Sequence, residues 1–161
     1  MTPVDLICFN IKDNIDVDVF HESQPTDMML SHRIELDPTN VQATYLAQAA
    51  GVARFAYNWA LGLWHDIYQL HKLDPDVAPT SEAELRKALN ALKREHYPWM
   101  LEVTKCAPQM AIKNLGKAFE NFFAGRSGYP RFKAKGRDDR FTLSNDQFRV
   151  DGSRIHIPKM K

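Results

Sequence analysis

LDPTNVQATYLAQAAGVARFAYNWAL, residues 36–61, is the stretch on which the fold turns. Asp37-Pro38-Thr39 opens a helix. Proline's fixed φ suits the first turn, and Thr39 with Gln42 has the spacing of a capping box. Leu46, Ala49 and Ala50 then share one helical face. Gly51 interrupts it and predicts a break. A second helix is expected from about Val52 to His71, with an apolar stripe of Phe55, Trp59, Leu63, Ile67 and Leu70. Two helices joined at a glycine make a helical hairpin or a helix-turn-helix.

Working outward, SHRIEL (31–36) reads as a short strand, and the stretch before it carries no helical period. DLICFNI and IDVDVF alternate as short strands do, but each is brief. Residues 1–30 are therefore expected to be an acidic extension, poorly ordered or loosely attached. Downstream, LDPDVAPT (73–80) is a loop, because its prolines and aspartates cannot continue a helix. Ser81 with Glu84 is a second capping box, opening a helix over EAELRKALNALKREH (82–96). Thr104 caps a fourth helix, from about Lys105 to Ala124, expected to bury Ala107, Ala111, Leu115, Ala118, Phe119, Phe122 and Phe123.

After Gly125 the texture becomes short β-type runs, GYPRFKAKGR, RFTLSN, QFRV and RIHIP, broken by turn residues. Asp151-Gly152 between two of them signals a hairpin. The expected class is α+β. Residues 31–37 supply a first barrel strand, 38–125 a four-helix lobe, and 126–161 a basic β-rich segment. The helical lobe is thus inserted in a small barrel, closed or incomplete.

The net charge of +1 hides an asymmetry. Residues 1–30 hold one basic and six acidic residues; from Lys105 onward there are 13 basic and five acidic. The last third has the footprint of a polyanion binder, the alternative being a solvated surface. No apolar run approaches the roughly 20 residues of a membrane span. Cys8 and Cys106 have no Cys-x-x-Cys partner, which favours a reducing, cytoplasmic setting. No phosphate loop, metal-ligand spacing or catalytic pair stands out; neither a metal nor a cofactor is expected. His65 and His71, six apart, do not share a helix face.

RSGYPRFKAKGRDDR gathers Arg126, Arg131, Lys133, Lys135, Arg137 and Arg140 into one short run. On a strand Arg131, Lys133 and Lys135 would share a face suited to phosphates, with Phe132 turned into a core. Asp138-Asp139 reads as a turn. Tyr129 stacks on a base or simply packs. Tyr57 and Asn58 lie off the main stripe and are the polar candidates of their helix. Lys105 and Gln109, four apart at a helix start, are candidates for reading base edges; Thr142 and Asn145 are others. On geometry alone such a pair is a weak signal.

Six segments in order resemble one family: LDPTNVQATYLAQAAGVARFAYNWAL, YPWMLEV, APQMAIKNLGKAFENFF, GYPRFKAKGR, RFTLSN and RIHIPKM. They are similar to the opening of the TnpB/OrfB proteins of insertion sequences, which carry a transposase helix-turn-helix domain. The resemblance covers about residues 31–160. It implies the recognition part of an RNA-guided DNA endonuclease: a wedge-type, oligonucleotide-binding barrel with an inserted helical recognition lobe. Its partners would be double-stranded DNA and a guide RNA, with base pairing reading most of the target and protein a short adjacent motif. It also implies motif-reading roles for Lys105, Gln109 and Thr142, and a backbone-facing role for PRFKAK. DVAPTSEAEL offers no counterpart to a further motif contact of the family. The family continues into a RuvC-type nuclease with three acidic ligands. That part is not found here, so the expectation is recognition without cleavage, at the nucleoid. A protein-interaction remnant, self-associating through an open sheet edge, and one half of a split nuclease are the alternatives.

Overall fold

The computed structural model of the chain describes residues 6–10, 16–21 and 30–161, with side chains from residue 34 onward except that of Asn145. Three antiparallel strands come first: β1 (Leu6–Asn10), β2 (Asp16–His21) and β3 (Leu30–Glu35). The helices α1 (Asn40–Leu73), α2 (Glu82–Leu92) and α3 (Cys106–Phe123) follow, with a 3-10 turn at Pro98–Leu101. Then come β4 (Arg140–Ser144), a 3-10 turn at Asn145–Gln147, and the hairpin of β5 (Arg149–Asp151) and β6 (Arg154–His156). Among the described residues the sheet is open, in the order β3-β2-β1-β4, and the β5-β6 ribbon stands apart. The architecture of these residues is α+β, with three α-helices rather than four and a small open sheet, without barrel closure among the described residues.

Two parts of the acidic N-terminal stretch, residues 6–10 and 16–21, are paired strands. Residues 6–10 pair with β2 on one side and with β4 on the other, Leu6 opposite Ser144 and Asn10 opposite Arg140. The alternation of those short runs is a strand signal whose partner lies near the far end of the chain. Residues 1–5, 11–15 and 22–29 lie outside the described residues.

Gly51 does not end a helix. A mid-helix glycine costs roughly 1 kcal/mol relative to alanine. Burial on both sides outweighs that: Ala49, Ala50, Val52 and Ala53 are all within 4% of full burial. The helix runs on to Leu73, roughly 50 Å at 1.5 Å per residue. Both capping boxes form as read, Thr39 with Gln42 and Ser81 with Glu84. Asp74 ends α1, donating its N–H to the Leu70 carbonyl.

Before Gly51 the buried face of α1 is the one expected, Leu46, Ala49 and Ala50; after it, the small residues Ala53, Ala56 and Ala60 are buried in place of the expected aromatic stripe. Small residues let α1 lie close to α3, whose Ala107 and Ala111 face the same core. Phe55 and Trp59 are only partly buried, and Leu70 is exposed. On α3, Leu115 and Phe119 are buried as expected, but Phe123 is 59% exposed.

Tyr45 ties three segments together. Its hydroxyl accepts from the Thr104 N–H at 3.0 Å and donates to the Pro158 carbonyl at 2.7 Å. Burial pushes its phenol upward, a shift that the Thr104 hydrogen bond opposes. The C-terminal segment, with Ile157 buried, is thereby held against the helical lobe. Gly152, at φ +56°, makes the β5-β6 turn at the Asp-Gly signal.

Candidate nucleic-acid interface

The basic segment after α3 is not a paired strand. Residues 128–134 run without ladder partners among the described residues, and residues 135–138 form a turn and bend. At its centre the segment is held by one side chain. The Asn58 amide donates to the Lys133 carbonyl at 2.9 Å and accepts from the Lys133 N–H at 2.8 Å. A single asparagine on α1 thus does what a neighbouring strand would do. At one end, Pro130 is buried. The Tyr129 ring meets Phe119 and Phe122 edge-on, and its hydroxyl lies 3.1 Å from His65 Nδ1. Partial burial pushes the Tyr129 phenol up, helped by Tyr68.

At the other end, Asp138 and Asp139 build the turn, as their position suggests. Asp138 accepts from the Ala134 N–H and the Arg137 guanidinium; Asp139 accepts from the Gly136 N–H and pairs with Arg54 on α1. Burial alone would raise the Asp138 carboxyl. The Ala134 N–H, Arg137 and Lys133 outweigh it and hold the group below its ordinary value.

These contacts sort the cations. Lys133 lies 3.8 Å from Asp138 and over the Tyr57 ring at 5.0 Å, so it is partly neutralised. Arg137 is bonded to Asp138 but remains 68% exposed. Arg126 is exposed, its Nε donating to Asn121 Oδ1 at 2.9 Å. Arg131, Lys135 and Arg140 are exposed and have no carboxylate within ion-pair distance among the described residues. Arg131 and Lys135 therefore remain available, while Lys133 does not share their freedom. Phe132, expected inside, is 60% exposed. Without a sheet beneath it, the segment has no core side to turn it into.

A cleft of about 350 Å³ opens between this segment, α1 and α3. Arg54, Tyr57, Asn114, Lys133, Arg140 and Thr142 supply its polar lining. Tyr57 is buried, and burial, then Asp138, pushes its phenol up. Thr142 is 6% exposed, on β4 between the buried Phe141 and Leu143.

Lys105 and Gln109 open on the other side of α3. They line a smaller cleft of about 130 Å³ with Arg86, Asn90 and Lys93 of the α2 segment. Lys105 is exposed and Gln109 half-exposed. The three candidate motif readers therefore occupy two clefts separated by α3, not one. The Asn145 side chain lies outside the described set.

Sequence reasoning missed Lys113 and Lys117. With Lys105 and Gln109 they form a ladder along α3 in steps of four, and both lysines are exposed. That spacing is visible in the sequence. No group of three or more His, Cys, Asp or Glu side chains able to hold a metal occurs among the described residues. Among the same residues, no helix is long and apolar enough to cross a membrane.

Comparison with known proteins bears on the same segments. The helix-turn-helix domain model of OrfB proteins of the IS605 type matches residues 28–72, which span β3 and nearly all of α1. An Escherichia coli protein provisionally named RNA-guided DNA endonuclease InsQ is 28% identical over 130 residues, 80% of this chain and 31% of its own length. A Mycobacterium tuberculosis protein, also provisionally named as an RNA-guided DNA endonuclease, is 32% identical over 142 residues, 78% of this chain and 31% of its own. The virulence protein VsdF of Salmonella dublin is 32% identical over 117 residues, 67% of this chain and 95% of its own. The chain thus spans about a third of the two endonuclease relatives and nearly all of the third protein. Family model, relatives and ordered motifs converge on one assignment: the chain belongs to the TnpB/OrfB family of transposon-encoded proteins.

Proposed function

We propose that this chain is a nucleic-acid-binding module that holds double-stranded DNA, and a guide RNA where one is present, through the segment 126–140 and through Lys113 and Lys117 of α3. One observation carries the reading. The Asn58 clamp anchors the segment that carries Arg131 and Lys135, and Arg140 of β4 lines the cleft; all three lack carboxylate partners among the described residues, while the carboxylates nearby build the turn. Unpaired cations on an anchored segment exchange condensed counterions for contacts, giving affinity that falls steeply with salt. The provisional names of the two endonuclease relatives, which describe action on DNA under RNA guidance, favour the same ligand class.

In this reading Lys105, Gln109 and Thr142 read base edges of a short duplex motif, and the segment 126–140 follows backbone. A cytoplasmic, nucleoid-associated location belongs to the same proposal. The module recognises without cleaving. Incubation of labelled duplex with the chain and Mg²⁺ should return intact DNA, and cleavage products would contradict it. The binding test is retention on duplex DNA at low salt, with a library of sequences to expose any preference. The double variant Lys105→Ala/Gln109→Ala should flatten the preference and leave sequence-independent binding nearly unchanged. Loss of both together would make the pair structural, and no retention by the parent chain would reject the function.

A further inference from the structure

Three rings run in near-parallel order from the core to the surface. Trp64 of α1 stacks on Phe119 at 4.2 Å with 18° between planes, and Phe119 stacks on Phe123 at 6.0 Å with 24°. Phe119 is buried, whereas Phe123 is 59% exposed. Beside this stack, the Phe122 and Tyr68 rings lie tilted to Phe123 at 5.3 and 6.2 Å. Among the described residues no further ring contacts Phe123, and more than half of it stays in solvent. A phenylalanine at the last position of a helix, with solvent on one side, is costly as packing alone, since its apolar area stays in water. As the end of a stack it offers a π-face to a further flat ring.

The surroundings specify which ring. The Lys72 ammonium sits over the ring of Tyr68 at 4.6 Å, and that ring lies 6.2 Å from Phe123. Arg126 follows Phe123 by three residues, its guanidinium steered by Asn121 and its backbone N–H bonded to the Asn121 carbonyl at 2.8 Å. Gly125, at φ +69°, turns the chain so that Arg126 returns to the end of α3. Cations flanking an exposed ring suit a ligand that is flat and anionic. A duplex cannot use the ring without unstacking, because its bases already stack on each other; an unpaired nucleotide can.

We infer that the exposed end of the Trp64–Phe119–Phe123 stack is a stacking site for one unpaired base of a single-stranded nucleic acid, with Lys72 and Arg126 holding its flanking phosphates. This rests on the nucleic-acid reading above and adds a base-stacking site at the end of α3, which shares Arg126 with the segment 126–140 and is separate from the Lys105 cleft. Phe119 sets the angle of Phe123, and Phe123 alone touches the base.

The test uses the full chain with labelled oligouridylate, oligothymidylate and an unrelated duplex. Base–aromatic stacking contributes enough that Phe123→Ala should weaken both single strands about tenfold while duplex binding stays within about twofold. Phe123→Trp, which enlarges the π-face, should restore single-strand affinity and quench the added tryptophan on binding. Phe123→Leu, which keeps apolar area without a π-system, should not restore it. Circular dichroism of all three variants should match the parent, as the ring is largely in solvent. Effects on both strands assign a general base contact; an effect on oligouridylate alone assigns RNA. Intact duplex binding with no Phe123→Ala effect on single strands overturns this inference and spares the proposed function. Full rescue by leucine overturns it in favour of an apolar contact. No binding to any nucleic acid overturns both.

Discussion

Asn58→Ala is the perturbation that most isolates the role of one side chain. Asn58 makes two hydrogen bonds to one residue's backbone, at 2.8 and 2.9 Å, across 75 positions of sequence. A net contribution of roughly 0.5–1.5 kcal/mol per bond gives about 1–3 kcal/mol for the pair. Lys133 is only half-buried, so water can satisfy part of its freed backbone, and the lower half of that range is expected. Urea unfolding should show a loss of about 1–2 kcal/mol with an unchanged m-value. Exchange of the Lys133 amide should accelerate well beyond that global change. Asn58→Asp is a sharper companion. It can still accept from the Lys133 N–H, but it sets a carboxylate against the Lys133 carbonyl, so at least half of the loss should appear. Neither variant removes a cation, yet duplex affinity at low salt should fall, because Arg131 and Lys135 lose their fixed positions. An Asn58→Ala protein within about 0.3 kcal/mol of the parent, with Lys133 exchange unaltered, would refute the clamp.

Two mid-helix glycines should respond oppositely. Gly51→Ala meets only the end of Arg54, at 4.0 Å, so the helix-propensity gain stands and unfolding should show about 0.5–1 kcal/mol of added stability. Gly116→Ala would set its methyl 2.9 Å from Glu82 Cβ, and overpacking of about 1–3 kcal/mol should outweigh the same gain, leaving a net loss. Asp138 has a folded-state value below its ordinary one, so its contribution is present above the unfolded value of about 3.9 and is lost as pH falls through the folded value. Ala134 amide protection, which depends on that carboxylate, should therefore persist at about pH 5 and disappear on strong acidification. Asp138→Asn should remove much of it at neutral pH.

Legible in the sequence is what short range determines. Both capping boxes, the Asp138-Asp139 turn and the Asp151-Gly152 hairpin depend on close neighbours along the chain, and all form where read. The errors lie where distant partners decide. Gly51 reads as a break because its local cost is visible and the burial of Ala49 and Ala53 against α3 is not. Residues 6–10 read as too brief to hold, and β4 supplies the missing partner. The basic segment alternates like a strand, but its extended form comes from Asn58 on a helix, so Phe132 has no buried face to enter. Asn58 stands out in the sequence as a polar candidate of its helix, and in the structure its amide is bonded to the Lys133 backbone. The candidate motif readers are legible as residue types, whereas their division between two clefts needs the position of α3. The Lys113 and Lys117 steps of the ladder are in plain view.

In the proposed function Arg131 and Lys135 meet phosphates, since no carboxylate among the described residues neutralises them. The slope of log affinity for duplex DNA against log salt concentration tests this most directly, in the parent and in Arg131→Gln/Lys135→Gln. Each phosphate contact contributes roughly 0.9 to the slope, so the double variant should bind with a slope shallower by about two. A weaker protein with the parent's slope, or no change in either quantity, would contradict it.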